Sequence, residues 1–256
     1  MVLPRPATLS CLTTSLLLYH MWPGESNIKF SRGIILTSIL FFIPLMFVKL
    51  GFSLGIIYEN PSASALLVFS IFYSLQAPFA LGMIHTLGNI DIRKFIFAKL
   101  PSWKESIKWG SVGMLWGSIN LITNLRNGYH IGKLGYDHLI AAIFHDAIIL
   151  PIVEEATFRG ICFVAIYNYR RNLFAACIVT SIIFTVAHAT SYTEFILHTT
   201  AGLSYAHILS ITCFSMATCY IYYSTGKLLL CIWIHGIINS MNHLGILIGY
   251  LSESQH

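Results

Sequence analysis

Two adjacent carboxylates and an arginine stand inside an apolar stretch of this chain. Leu-Pro-Ile-Val-Glu-Glu-Ala-Thr-Phe-Arg-Gly occupies residues 150–160, and the apolar run around it extends from Leu139 to Tyr167. Ionised groups in such surroundings cost free energy unless they pair or perform chemistry. Glu155 and Arg159 are four apart, so on a helix they share a face and can form an ion pair in the favourable order, acid before cation. Glu154 lies about 100° round that helix and has no local partner. One carboxylate held by an arginine beside one left free is the pattern of a general base kept near a counter-ion network. The plain alternative is a polar knot that locks two helices together.

Two further polar pairs occur downstream at helical spacing. Phe184 and His188 are four apart, as are His235 and Asn239, so each pair points its side chains to one side of its helix. Of the ten acidic residues, only Asp146, Glu154 and Glu155 fall well inside an apolar run. A single histidine there is most simply a helix-to-helix hydrogen bond. Three polar pairs on three helices instead suggest one wet cavity lined by Glu154, His188, His235 and Asn239.

The helices that must position these groups are of the membrane type. The chain has 256 residues, 56% of them hydrophobic and 10% charged, with a mean hydropathy of +0.72, whereas soluble domains carry about 25% charged residues. The expected fold class is all-α, a polytopic helical membrane protein. Seven spans are expected, at residues 33–58, 64–87 (kinked near Pro78), 109–123, 139–167, 173–189, 195–223 (broken near Gly202) and 228–250, each read against the about 20 residues that cross a bilayer core. Gly110, Gly113 and Gly117 predict close packing of the third span. Arg93, Lys94, Lys99, Lys104 and Lys108, set among Phe95, Phe97, Trp103 and Trp109, predict a basic interfacial segment on the cytoplasmic side.

The N-terminal residues are read as a retained interfacial segment, since no small-residue cleavage site follows the apolar stretch from Cys11 to Tyr19. The six cysteines include no C-x-x-C pair and are read as apolar packing residues. The net charge of +5 suits an anionic membrane surface, and no interleaving of basic and aromatic residues points to nucleic acid. No internal repeat or long linker divides the chain, so residues 1–256 are expected to form a single integral membrane domain, with 139–250 as its catalytic core.

The ordered motifs Glu154-Glu155-x-x-Phe158-Arg159-Gly160, Phe184-x-x-x-His188 preceded by Ser181, and His235-x-x-x-Asn239 resemble those of the CPBP family. This family comprises the CAAX-protease and bacteriocin-processing (Abi-like) membrane proteins. Tyr222, Thr225, Gly226, Leu228 and Ile232 before the third motif are similar too, and the resemblance covers 152–239. Ser215 and Cys219 stand where the family has small glycines, and Cys231 where it usually has proline; no motif residue is lost.

The resemblance implies an intramembrane endopeptidase. Glu154 and His188 would activate a water, His235 and Asn239 would stabilise the oxyanion, and Glu155, Arg159 and Phe184 would support them. It implies no metal and no other cofactor. The partners would be a peptide or lipidated protein substrate and membrane lipid, in a multi-pass protein of the cell membrane.

Three other readings of the same residues stay open from the sequence. Two histidines and a carboxylate are also zinc ligands, although no H-E-x-x-H pattern occurs. A transporter or proton relay also uses buried Glu and His. A non-catalytic scaffold would leave all four polar residues unexplained.

Overall fold

The structure is a computed structural model, and it describes residues 29–40, 74–97, 99–126, 143–196 and 205–253. Every element among these is helical. The helices are α1 (residues 30–40), α2 (Gln76–Gly88), α3 (Ile92–Phe97), α4 (Trp103–Arg126), α5 (residues 143–170), α6 (Leu173–Ile196), α7 (Tyr205–Thr225) and α8 (Leu228–Glu253). The interfacial N-terminal segment, most of the first expected span and the break near Gly202 lie outside the described residues.

Several boundaries differ from the sequence expectation for local reasons. Pro78 falls in the first turn of α2, where a missing N–H costs nothing because that donor would have no intrahelical partner. Helix α4 starts at Trp103, ahead of the expected Trp109, because Ser102 and Glu105 form a capping box. The Ser102 N–H donates to Glu105 Oε2 over 2.8 Å, and the Glu105 N–H donates to Ser102 Oγ over 3.3 Å. Helix α6 runs on to Ile196, past the expected end at Ala189.

Short turns separate α5 from α6 and α7 from α8. Arg171 takes a left-handed conformation (φ 52°) and closes α5 by donating its N–H to the Tyr167 carbonyl. The Asn172 side chain then accepts the N–H of Ala175 at the start of α6. Gly226 (φ 66°) ends α7 in the same way, with its N–H on the Tyr222 carbonyl, a conformation in which a residue without Cβ has no steric penalty.

Helix α5 is the centre of the core. It alternates between windings: π-helical at His145–Ile149, α-helical at Leu150–Glu155, π-helical at Ala156–Phe163 and α-helical at Val164–Arg170. Pro151 lies just after the first π segment and supplies no N–H, while the Leu150 N–H reaches back five residues to the His145 carbonyl. Such π segments inside helices occur frequently at functional sites. All eight residues of Ala156–Phe163 are buried, as expected of a helix wrapped by neighbours on every side.

Helix α4 lies along α8 through the glycine stripe. A Cβ on Gly110, Gly113 or Gly117 would stand 3.1 Å from Trp233 Nε1, 3.2 Å from the Ile234 carbonyl oxygen and 2.6 Å from Met241 Cβ, respectively. Helices α6 and α7 are joined by a hydrogen bond between the Thr185 and Thr212 hydroxyls.

Large apolar side chains remain exposed on the outer faces: Leu115 and Ile119 on α4, Ile182 and Val186 on α6, Leu209 on α7 and Trp233 on α8. Among the described residues no helix is long and apolar enough to cross a membrane.

Candidate active site

Helices α5, α6 and α8 each bring one motif to a common point. Glu154 Oε2 lies 3.6 Å from His188 Nε2 and 3.6 Å from His235 Nε2. That carboxylate oxygen is buried and has no hydrogen-bond partner among the described residues. The separations are too long for direct hydrogen bonds, yet the three groups converge on one spot.

Each imidazole is oriented from behind. The Nδ1–H of His188 donates to the Phe184 carbonyl over 2.9 Å, and the two rings of this pair lie 4.2 Å apart. The Nδ1–H of His235 donates to Glu155 Oε1 over 2.8 Å. A carbonyl and an ionised carboxylate can only accept, which fixes the proton on Nδ1 in both rings and aims both Nε2 atoms at Glu154.

Glu155 is the junction between the histidine and the arginine. Its Oε2 is 3.2 Å from Arg159 Nε, and both side chains are fully buried. The contact is an ion pair without hydrogen-bond alignment, since neither atom has a well-aligned partner. Arg159 is held on its other side by Nη2 donating to Thr218 Oγ1, and by the rings of Phe184 and Phe214, whose centroids lie 4.4 and 5.6 Å from its guanidinium carbon. Phe214 also meets the His235 ring edge to face at 4.9 Å. Phe158, inside the second π segment, packs edge-on against Phe184 at 4.9 Å.

Asn239 is engaged elsewhere. One N–H of its Nδ2 donates to the Asp146 carbonyl over 2.7 Å, so Asn239 grips the first π segment, while Glu154, His188 and His235 converge directly. Gly236 allows the approach: a Cβ there would lie 2.3 Å from the Ala147 carbonyl oxygen. His243, one turn beyond Asn239, donates from Nε2 to Asp146 Oδ2 over 2.9 Å, and His145 Nδ1 binds Asp146 Oδ1 over 2.6 Å.

Sequence reasoning missed His243, Phe214 and Thr218. The i, i+4 spacing of Asn239 and His243 was a readable signal for the first. Nothing marked Phe214 or Thr218 on a helix as evenly apolar as α7. Among the described residues no group of three or more His, Cys, Asp or Glu is arranged to hold a metal ion.

Residues 136–241 match a family model described as Rce1-like, Type II CAAX prenyl endopeptidase. This segment is similar to the Rce1-like family. The chain is accordingly a protease, a hydrolase of the CAAX-endopeptidase type from a membrane-embedded family. The Rce1-like segment contains Glu154, His188, His235 and Asn239, together with the Glu155–Arg159 pair. No curated protein and no solved structure matches the chain.

Proposed function

We propose that this protein cleaves a peptide bond in a membrane-associated, lipidated protein or peptide, with Glu154 as general base. The observation that carries the proposal is the pair of 3.6 Å separations from Glu154 Oε2 to two Nε2 atoms, a geometry suited to a bridging water. Such a water gives one hydrogen to Glu154 and the other to His188 Nε2, whose lone pair faces inward. Its oxygen attacks the scissile carbonyl carbon as Glu154 takes the proton. The C–N bond then breaks, and the same proton passes from Glu154 to the departing amine.

The negative charge that develops on the carbonyl oxygen needs donors. His235 is one through an Nε2–H turned inward, its ring held from behind by Nδ1–H on Glu155. Asn239 has a second N–H beyond the one given to Asp146, and this is the other donor. Glu155 and Arg159 keep the α5 surface in place, and Phe184 sets the face of His188.

The substrate class follows from the CAAX prenyl endopeptidase description of the matched family. A single membrane domain with 139–250 as its catalytic core, multi-pass in the cell membrane, agrees with the apolar side chains exposed on α4, α6, α7 and α8, which a soluble protein seldom presents together. The decisive experiment offers purified protein in liposomes a farnesylated CAAX peptide and its unprenylated twin, and analyses the products by mass spectrometry. Release of the C-terminal tripeptide from the farnesylated peptide supports the assignment. Solute or proton movement without cleavage overturns it in favour of a transporter.

A further inference from the structure

The segment from Asp91 to Lys108 contains five cations and two acids, and both acids are used up internally. Asp91 Oδ1 accepts the backbone N–H groups of Arg93 and Lys94 at 3.0 and 3.3 Å, capping α3. Glu105 pairs with Lys227, which comes from the turn before α8. Arg93, Lys94, Lys104 and Lys108 are exposed and have no carboxylate partner among the described residues. Lys104 and Lys108 lie over the rings of Trp103 and Trp109 at 5.7 and 4.9 Å, an arrangement that leaves their charge accessible.

Between these cations stand apolar side chains that the fold leaves uncovered. Phe97, Leu100, Trp103 and Ile107 are 52%, 63%, 69% and 60% exposed. Cations alternating with exposed aromatic and aliphatic groups on short amphipathic elements match the boundary between lipid headgroups and acyl chains.

The same segment is fastened to the catalytic helices. The Phe95 ring fills the space above Gly160, the residue after Arg159, where a Cβ would come within 2.2 Å of Phe95 Cζ. Trp233, two residues before His235, donates its Nε1–H to the Ser106 carbonyl over 3.2 Å.

We propose that residues 91–108 form a docking surface for anionic phospholipid headgroups. Arg93, Lys94, Lys104 and Lys108 meet the phosphates, while Phe97, Leu100, Trp103 and Ile107 enter the interface. Phe95 and Trp233 tie the occupied surface to α5 and α8. The proposal rests on the membrane reading above, but its test reads lipid and not cleavage, so either can fail alone.

Full-length protein is exchanged into nanodiscs of equimolar phosphatidylglycerol and phosphatidylcholine, released from them in native mass spectrometry, and the retained lipids are counted. The wild type is expected to retain phosphatidylglycerol in preference, since each cation near an anionic surface favours association by about fivefold. The preference is expected to fall with added salt and to disappear in Arg93→Gln/Lys94→Gln/Lys104→Gln/Lys108→Gln at unchanged melting temperature. Should the fourfold variant fail to fold, the two double variants, Arg93→Gln/Lys94→Gln and Lys104→Gln/Lys108→Gln, each carry half of the surface and are expected to lose part of the preference. Equal retention of both lipids by the wild type, or a preference untouched in the variants, overturns the proposal.

Discussion

His235 Nδ1 stands 2.8 Å from Glu155 Oε1, so the carboxylate that pairs with Arg159 is also the one that orients a site imidazole. The two duties can be separated. Glu155→Gln strands Arg159 as an unpaired buried cation, a change that typically costs about 3–5 kcal/mol, and removes the carboxylate that orients the His235 ring. The double variant Glu155→Gln/Arg159→Met removes the stranded charge, so its melting temperature is expected to recover towards wild type. Its kcat is expected to stay low, with KM little changed. Recovery of activity together with stability would show that Glu155 serves packing alone.

Glu154→Gln keeps the shape of the side chain but cannot take the proton of the attacking water. Cleavage is expected to vanish while expression and melting match wild type. Peptide turnover by folded Glu154→Gln protein would falsify its assignment as base. With a water held by Glu154 and two histidines, addition of a chelator is expected to leave wild-type cleavage unchanged; a loss restored by added zinc points instead to a metal at the same three groups.

Asn239→Ala is expected to lower both stability and turnover. The lost Nδ2 donor leaves the Asp146 carbonyl without its partner, a penalty of about 1–3 kcal/mol for a buried acceptor. Loss of one oxyanion donor lowers kcat by about 10²- to 10³-fold. Comparing melting temperature with kcat separates the two roles, because a residue acting only on the oxyanion leaves melting unmoved.

Gly236→Ala forces a methyl group to 2.3 Å from the Ala147 carbonyl oxygen. The opposing atom is backbone, so the helices must part, and overpacking of this kind costs about 1–3 kcal/mol. Because His235 is the next residue, turnover is expected to fall more than stability alone would explain. Thermal melting and kcat measured on the same preparation check this.

The Glu105–Lys227 contact predicts an acid response. The hydrogen bond from Lys227, followed by the hydrogen bonds from Ser102 and last by the Lys227 charge, holds the Glu105 carboxyl at about 2, below its ordinary 4.5. A carboxyl depressed by folding contributes stability above its unfolded value, and that contribution is lost as pH falls from about 4.5 through about 2. Lys227→Met is expected to flatten this part of the melting-temperature profile. A wild-type slope that survives in the variant places the acid sensitivity elsewhere.

The candidate residues were legible because membrane burial makes charge conspicuous: Glu154 and Glu155 stand out in an apolar run, and the spacing of Glu155 and Arg159 names a pair that the structure has at 3.2 Å. The Ser102-x-x-Glu105 capping box was equally present in the sequence, though its place among a cluster of cations made the region read as a basic interfacial segment ahead of a helix starting at Trp109. Periodicity marked out the helices around the site, since 3.6-residue winding turns spacing into a face.

What the sequence left open depends on how separate helices meet. The two π segments of α5 are wound more loosely than an α-helix, so faces counted at α-helical pitch drift around the axis beyond them. Asn239 meets the Asp146 carbonyl, rather than the Glu154 carboxylate, because Gly236 lets α8 press against the first π segment. Thr218 and Phe214 reach Arg159 from α7, a helix whose own sequence has no polar face to announce them. Residue types and spacing determined which groups could do chemistry; the register between α5, α7 and α8 decided which of them touch, because that register is set by packing across helices and not by order along one.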